Sequence, residues 1–196
     1  KVILYASDAK AQHSYIKQAE KQGYDVITLD SPISGHWIQK IEQVEEKVKF
    51  ARIDSDMIDK LIPKDGETTS KLSDKESDSL KGIIESSVDD KSYTIRIEAL
   101  DSDDAPIMVT VPEFMRRMKE MSASGGGGFM AMGDMPDAYD VVVNGNHPLA
   151  AKIIKAKDAD RGALIGQAMD LALLQQGLLT GEKLTAFINK QVSGLV

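Results

Sequence analysis

Residues Val111–Met135 read VPEFMRRMKEMSASGGGGFMAMGDM, and the rest of the chain is arranged around them. Phe114, Met115, Met118 and Met121 recur at the spacing of one stripe of an α-helix. Glu113, Arg116, Arg117, Lys119 and Glu120 take the other face. Pro112 suits a first helical turn, where its missing N–H costs nothing. Gly125 to Gly128 then stop the helix, because glycine loses the most backbone entropy on ordering. Phe129, Met130, Met132 and Met135 follow in a segment too glycine-rich to fold alone. Six of the nine methionines lie between Met115 and Met135. Methionine is unbranched and polarizable, so it adapts to irregular partners. A soft apolar stripe beside a glycine hinge suits a promiscuous binding surface. Periodicity alone favours a plainer expectation, ordinary core beneath a loop.

Working outward, Tyr93–Leu100 alternates as a strand, with Tyr93, Ile95 and Ile97 on one face. Asp101–Asp104 is a turn, and Ile107–Val111 is expected to return as the second arm of a hairpin. Downstream, Tyr139–Val143 is another strand, Asn144-Gly145-Asn146 a turn, and His147-Pro148 opens a helix carrying Leu149, Ile153 and Ile154. The longest helix runs from Asp160 to about Gln176, and the last from Glu182 to Val192.

The helix at 160–176 carries Leu164, Ile165, Ala168, Met169, Leu171, Ala172, Leu173 and Leu174, which leaves it a narrow polar face. A helix that is apolar on most sides is covered on most sides. A second copy of the chain supplies that cover if the last two helices pack against their mates in an isologous four-helix interface. The residues expected there are Leu164, Ala168, Leu171, Leu174, Leu184, Phe187 and Ile188. The other arrangement is an internal helical core in a monomer.

The amino-terminal part differs. Lys1–Ser7, Val26–Leu29 and Lys47–Ile53 read as strands, separated by helices at Asp8–Gln22 and Ile33–Val44. Strand–helix–strand–helix–strand implies a small parallel sheet with right-handed crossovers. Asp54–Ile62 holds one short helix. Pro63–Asp78 is polar linker chemistry running into a helix that gathers Leu80, Ile83, Ile84 and Val88. The expected division is therefore 1–63 and 64–196: a parallel α/β/α unit, then a mixed α+β domain with a short sheet, the methionine helix and carboxy-terminal helices.

Composition narrows the function. At 196 residues, with 28% charged and 42% hydrophobic residues, the chain has a normal globular balance. A net charge of −7 argues against nucleic acid, which favours a basic stripe. There is no cysteine, hence no disulfide framework or thiolate chemistry. No apolar run approaches a membrane span. The opening KVILYASD, in mid-strand and without an initiator methionine, reads as a cut from something longer.

Catalytic motifs are sparse. His13, His36 and His147 lack metal-ligand spacing. Asp101-Ser102-Asp103-Asp104 fails as a calcium loop, having Pro106 and Pro112 where glycine and glutamate are required. Gly125–Gly128 is not followed by the lysine and hydroxyl of a phosphate loop. Ser34 and His36 make no nucleophile elbow. Asp8 and Asp30 follow strand ends where open α/β sheets place ligands, though acidic caps are commoner there. They define the alternative reading, a receiver-like or hydrolase-like enzyme. Trp37, the sole tryptophan, sits on an amphipathic helix.

In order and spacing, KVILYASD, GHWIQKIE, KFARID, DDAPIMVT, VPEFMRRMKEM, NGNHPLAAKII and GQAMDLALLQQG resemble the heat-shock protein 90 chaperone family. The resemblance runs from the end of that family's middle domain through its carboxy-terminal dimerisation domain. Gly145 departs from it, since many members have another residue, often proline, there. The ending at Leu195-Val196 lacks the acidic pentapeptide of eukaryotic cytosolic members and points to the bacterial type or an organellar relative. The resemblance implies an ATP-driven, V-shaped homodimeric chaperone of the cytoplasm, with ATP and magnesium held in an amino-terminal domain outside this chain. No cofactor is expected here, and no nucleic-acid or membrane partner. It further implies that Phe114 and Met118, with Met115 and Met121 beside them, project into the cleft between protomers to meet unfolded clients. Trp37 faces the same cleft. Met130 and Met132 are weaker members of that surface. A third reading is a purely structural dimerisation module.

Overall fold

The structure, a computed structural model, describes residues 1–62, 68–88, 92–117 and 138–195. It divides into two compact units that interleave along the chain: Lys1–Asp65 with Thr110–Tyr139, and Gly66–Val109 with Asp140–Val196.

The first unit is built on β1 (Val2–Ala6), α1 (His13–Lys21), β2 (Ile27–Thr28), α2 (Ser34–Val44), β3 (Lys49–Arg52) and α3 (Ile58–Leu61). The strands form a three-stranded sheet in the order β2-β1-β3, with both pairings parallel. Side chains alternate across a strand. Leu4 and Ala6 therefore pack with Tyr15 and Ala19 of α1 and with Ile53 and Ile58, whereas Ile3 and Tyr5 pack with Ile38 and Ile41 of α2 and with Phe50. The chain steps one way across the sheet over one face and back over the other, so both crossovers share a hand.

Helix α1 starts five residues later than its periodicity predicts. The buried Gln12 side chain takes the Ser7 and Asp8 N–H groups at 2.8 and 3.0 Å. The Asp8 carboxylate takes those of Lys10 and Ala11 at 2.9 and 3.0 Å. Backbone donors that would have opened the helix are held in a loop instead.

The second unit comprises α4 (Asp74–Ser87), β4 (Tyr93–Glu98), β5 (Ile107–Thr110), β6 (Tyr139–Asn144), α6 (Pro148–Lys155), α7 (Asp158–Gln175) and α8 (Gly181–Ser193). Between β5 and β6 lies α5, described over residues 113–117, which belongs with the first unit. The sheet order is β4-β6-β5, so the expected β4–β5 hairpin is wrong. Val141, Val142 and Val143 of β6 are shut off from solvent, as is the whole of β5, and β6 lies between β4 and β5.

A polar knot fixes the end of β6. The buried Asn146 side chain donates to the Thr69 and Leu100 carbonyls and accepts from Lys71 N–H at 2.7 Å. Asn144 donates to the Asp101 carbonyl at 2.7 Å, and Gly145 N–H to that of Glu98 at 2.8 Å. A Cβ on Gly145 would lie 3.2 Å from a Leu72 methyl and 3.3 Å from an Ile97 methyl, so a side chain there requires both to give way by a few tenths of an ångström. Helix α4 opens with a capping box between Ser73 and Glu76.

Candidate functional site

Phe50 is the pivot of the first unit's candidate surface. In β3 the Lys49 and Ile53 N–H groups bond to β1, so the intervening Phe50 turns its N–H and C=O to the open edge of the sheet. Such an edge invites a further strand unless it is covered. Two charged side chains cover it. Glu42 of α2 accepts the Phe50 N–H at 2.8 Å, and Arg117 of α5 donates to the Phe50 C=O at 3.2 Å. Arg117 also reaches Glu42 at 2.9 Å and Glu113 at 2.8 Å. The Phe50 ring packs edge-to-face against Trp37 at 5.7 Å and Tyr5 at 6.4 Å.

Arg116 extends the same attachment. It is 8% exposed, donates to the Tyr5 hydroxyl at 2.6 Å, pairs with Glu113 at 2.5 Å, and lies over the Tyr5 ring. Tyr5 in turn donates to Glu113 at 3.3 Å. Burial, reinforced by the Glu113 carboxylate, raises the Tyr5 hydroxyl above the ordinary tyrosine value, so it stays a neutral donor. Burial also pushes the Glu42 carboxyl up, but Arg117 and the Phe50 N–H together outweigh it and hold the group below the usual glutamate value. The hydrogen bond to Glu42 in turn holds Arg117 more firmly protonated.

The helix is thus docked by the face its periodicity assigns to solvent. Glu113, Arg116 and Arg117 turn inward, while Phe114 is 68% exposed and Met115 half-buried. The expectation of ordinary core fails at Phe114. Trp37 is 47% exposed, and Ile33 and Val44 lie along the same side of α2, also exposed. Met118, Met121, Met130 and Met132 lie outside the described residues. Sequence reasoning missed Tyr5, Glu42, Arg116 and Arg117. The signal available was a glutamate three and four residues before a pair of arginines.

In the second unit α7 buries Ile165, Ala168, Met169, Ala172 and Leu173. Ala168 therefore faces the interior of its own unit and does not join an outer surface. Leu171 and Leu174 are exposed and Leu164 half-buried. Helix α8 buries none of its side chains; Ile188 is 50% exposed, and Leu184 and Phe187 are half-buried. Six of the seven residues anticipated at a self-association face thus keep accessible apolar surface.

Asp8 and Asp30 are exposed. Hydrogen bonds from Ala11 and Lys10 hold the Asp8 carboxyl below its usual range, as for a loop cap. Asp54, at the end of β3, is buried in a two-bond pair with Arg52 at 2.5 and 3.0 Å. Among the described residues no three His, Asp or Glu side chains are grouped to hold a metal ion. His147 accepts the Leu149 N–H at 3.0 Å and caps α6. Among the same residues no helix is long and apolar enough to cross a membrane.

No family model matches the chain. Among curated relatives, "Chaperone protein HtpG" of Porphyromonas gingivalis is 31% identical over 257 residues, covering 96% of this chain and 37% of the relative. "Chaperone protein HtpG" of Bacteroides thetaiotaomicron is 34% identical over 161 residues, covering 81% and 24%. "Chaperone protein htpG" of Bacteroides fragilis is 32% identical over 167 residues, covering 84% and 24%. The chain spans well under half the length of each.

Proposed function

Since the chain is a homologue of the HtpG chaperones over part of their length, we propose that it is the client-holding and self-associating part of such a chaperone. HtpG is the bacterial type of the heat-shock protein 90 family that the sequence motifs resemble. In this reading residues 1–63 correspond to the end of the middle domain and 64–196 to the carboxy-terminal dimerisation domain. ATP and magnesium are bound by parts of the protein outside this chain, and the whole works in the cytoplasm as a homodimer on unfolded or partly folded proteins.

One observation carries the client-holding role: Phe114, a large aromatic, stands 68% exposed on a helix fastened by its charged side. Exposed apolar groups of that size mark interaction sites when they gather with others, and Trp37 of the same unit is a second. Met115 adds a half-buried third; Met118, Met121, Met130 and Met132, which the resemblance assigns to the same surface, lie outside the described residues.

Fully burying one phenylalanine or methionine contributes about 1.5–3 kcal/mol. Partial burial of a few such groups, less the cost of ordering a client, gives micromolar holding, which suits release. Self-association through Leu164, Leu171, Leu174, Leu184, Phe187 and Ile188 presents two such surfaces to one client and raises the effective concentration of the second contact.

The test replaces Phe114 by Ser and measures suppression of aggregation of thermally unfolding citrate synthase. Suppression should fall while far-ultraviolet circular dichroism and the melting temperature stay unchanged. Unchanged suppression removes the client-holding role.

A further inference from the structure

Among the described residues of the first unit, Tyr5, Glu42, Glu113, Arg116 and Arg117 form one connected cluster of side-chain hydrogen bonds and ion pairs around the Phe50 backbone. We infer that Glu42, Tyr5, Arg116 and Arg117 are positioning residues, a clasp that fixes the first turn of α5 on the sheet edge and thereby aims Phe114 outward beside the Trp37 helix. The inference rests on the client-holding reading and deepens it.

An amphipathic helix left to hydrophobicity alone turns Phe114 inward and its arginines outward. The reverse arrangement stands because every charge brought inward finds a partner. Arg116 has Tyr5 and Glu113; Arg117 has Glu42, Glu113 and the Phe50 carbonyl. A buried arginine is tolerated only when so paired. Arg117 is suited to the task because its fork of donors reaches three groups on three elements, which a point charge on a lysine cannot do. The clasp also ends on Phe50, whose ring carries Trp37 on one side and Tyr5 on the other. The pose of α5 and the surroundings of the sole tryptophan are therefore linked through one residue.

The experiment uses the full 196-residue chain and three readouts: hydrogen exchange of the amides at 111–117, Trp37 emission, and suppression of citrate synthase aggregation. Arg117→Met keeps the stem and removes the fork. It should speed exchange across 111–117, shift Trp37 emission, and weaken suppression roughly five- to tenfold through lost preorganisation. Arg117→Lys should recover part of each. Glu42→Gln, which retains an acceptor for the Phe50 N–H, should give the same pattern more weakly, and it decides the matter if Arg117→Met does not fold.

Faster exchange with undiminished suppression, in a background where Phe114→Ser does reduce suppression, overturns the clasp and leaves the client-holding role standing. Unchanged exchange and emission in both variants overturn it as well. If Phe114→Ser itself has no effect, the client-holding role falls and the clasp's purpose falls with it.

Discussion

Helices α5 and α7 both carry apolar stripes, and they meet their units in opposite ways. Helix α7 follows the ordinary rule: Ile165, Ala168, Met169, Ala172 and Leu173 go inward, and a second apolar set is left outside. Helix α5 inverts it, burying Arg116 and exposing Phe114. Periodicity identifies the faces of a helix; the polar partners waiting on the scaffold decide which face is turned in. Where the scaffold offers only apolar groups, the stripe is buried. Where it offers a bare sheet edge, a tyrosine hydroxyl and a glutamate, the charges are.

The comparison is broken most forcefully at the outer face of α7. Leu171→Glu should convert a self-associated chain to monomers in sedimentation velocity, because a charge at the centre of an apolar interface leaves both copies desolvating an unpaired carboxylate. An unchanged sedimentation coefficient would show that the outward leucines are not covered by a second copy.

Next in size is Arg116→Leu. It keeps bulk and removes the charged donor to the Tyr5 hydroxyl and one of the partners of Glu113, which keeps Arg117 and Tyr5, so the first unit should lose about 1–2 kcal/mol in urea denaturation. A neutral result would mean that α5 is held by packing, like α7.

Acid should act more gently and on one side of the comparison only. The Glu42 carboxyl is held below its unfolded value, so the stability it contributes is complete above the ordinary glutamate range and is lost as pH falls through its lowered value. Exchange at 111–117 should accelerate over that window, with α7 amides unaffected and with the effect reduced in Glu42→Gln.

The smallest effect is on the stability of Phe114→Ser, which should stay within about 0.5 kcal/mol of the parent, as for an exposed residue. A loss of core-residue size would show that the ring is buried after all.

How much of this was legible follows from the same physics. The parallel unit was readable because each strand and helix carries its own periodicity and short connections leave few topologies. The start of α1 was not, because the competition between Gln12 and the helix for backbone donors is settled only by where β1 ends. The β4–β5 hairpin looked convincing from local turn chemistry, yet β6, distant in sequence, pairs between the two strands. Trp37 and Phe114 could be singled out by type and by resemblance. Periodicity could not give the exposure of Phe114, which only the resemblance implied, since Glu42 and Tyr5 lie 75 and 111 residues from Arg117 and Arg116, the arginines they meet.

That separation has a consequence for synthesis. Arg117 follows Phe50, whose carbonyl it covers, by 67 residues. At a typical elongation rate of 5–20 residues per second, a nascent chain holds that carbonyl uncovered for roughly 3 to 13 s, with Glu42 alone on the Phe50 N–H. Over that interval the young protein carries a half-guarded β-edge of the kind that invites pairing with other chains.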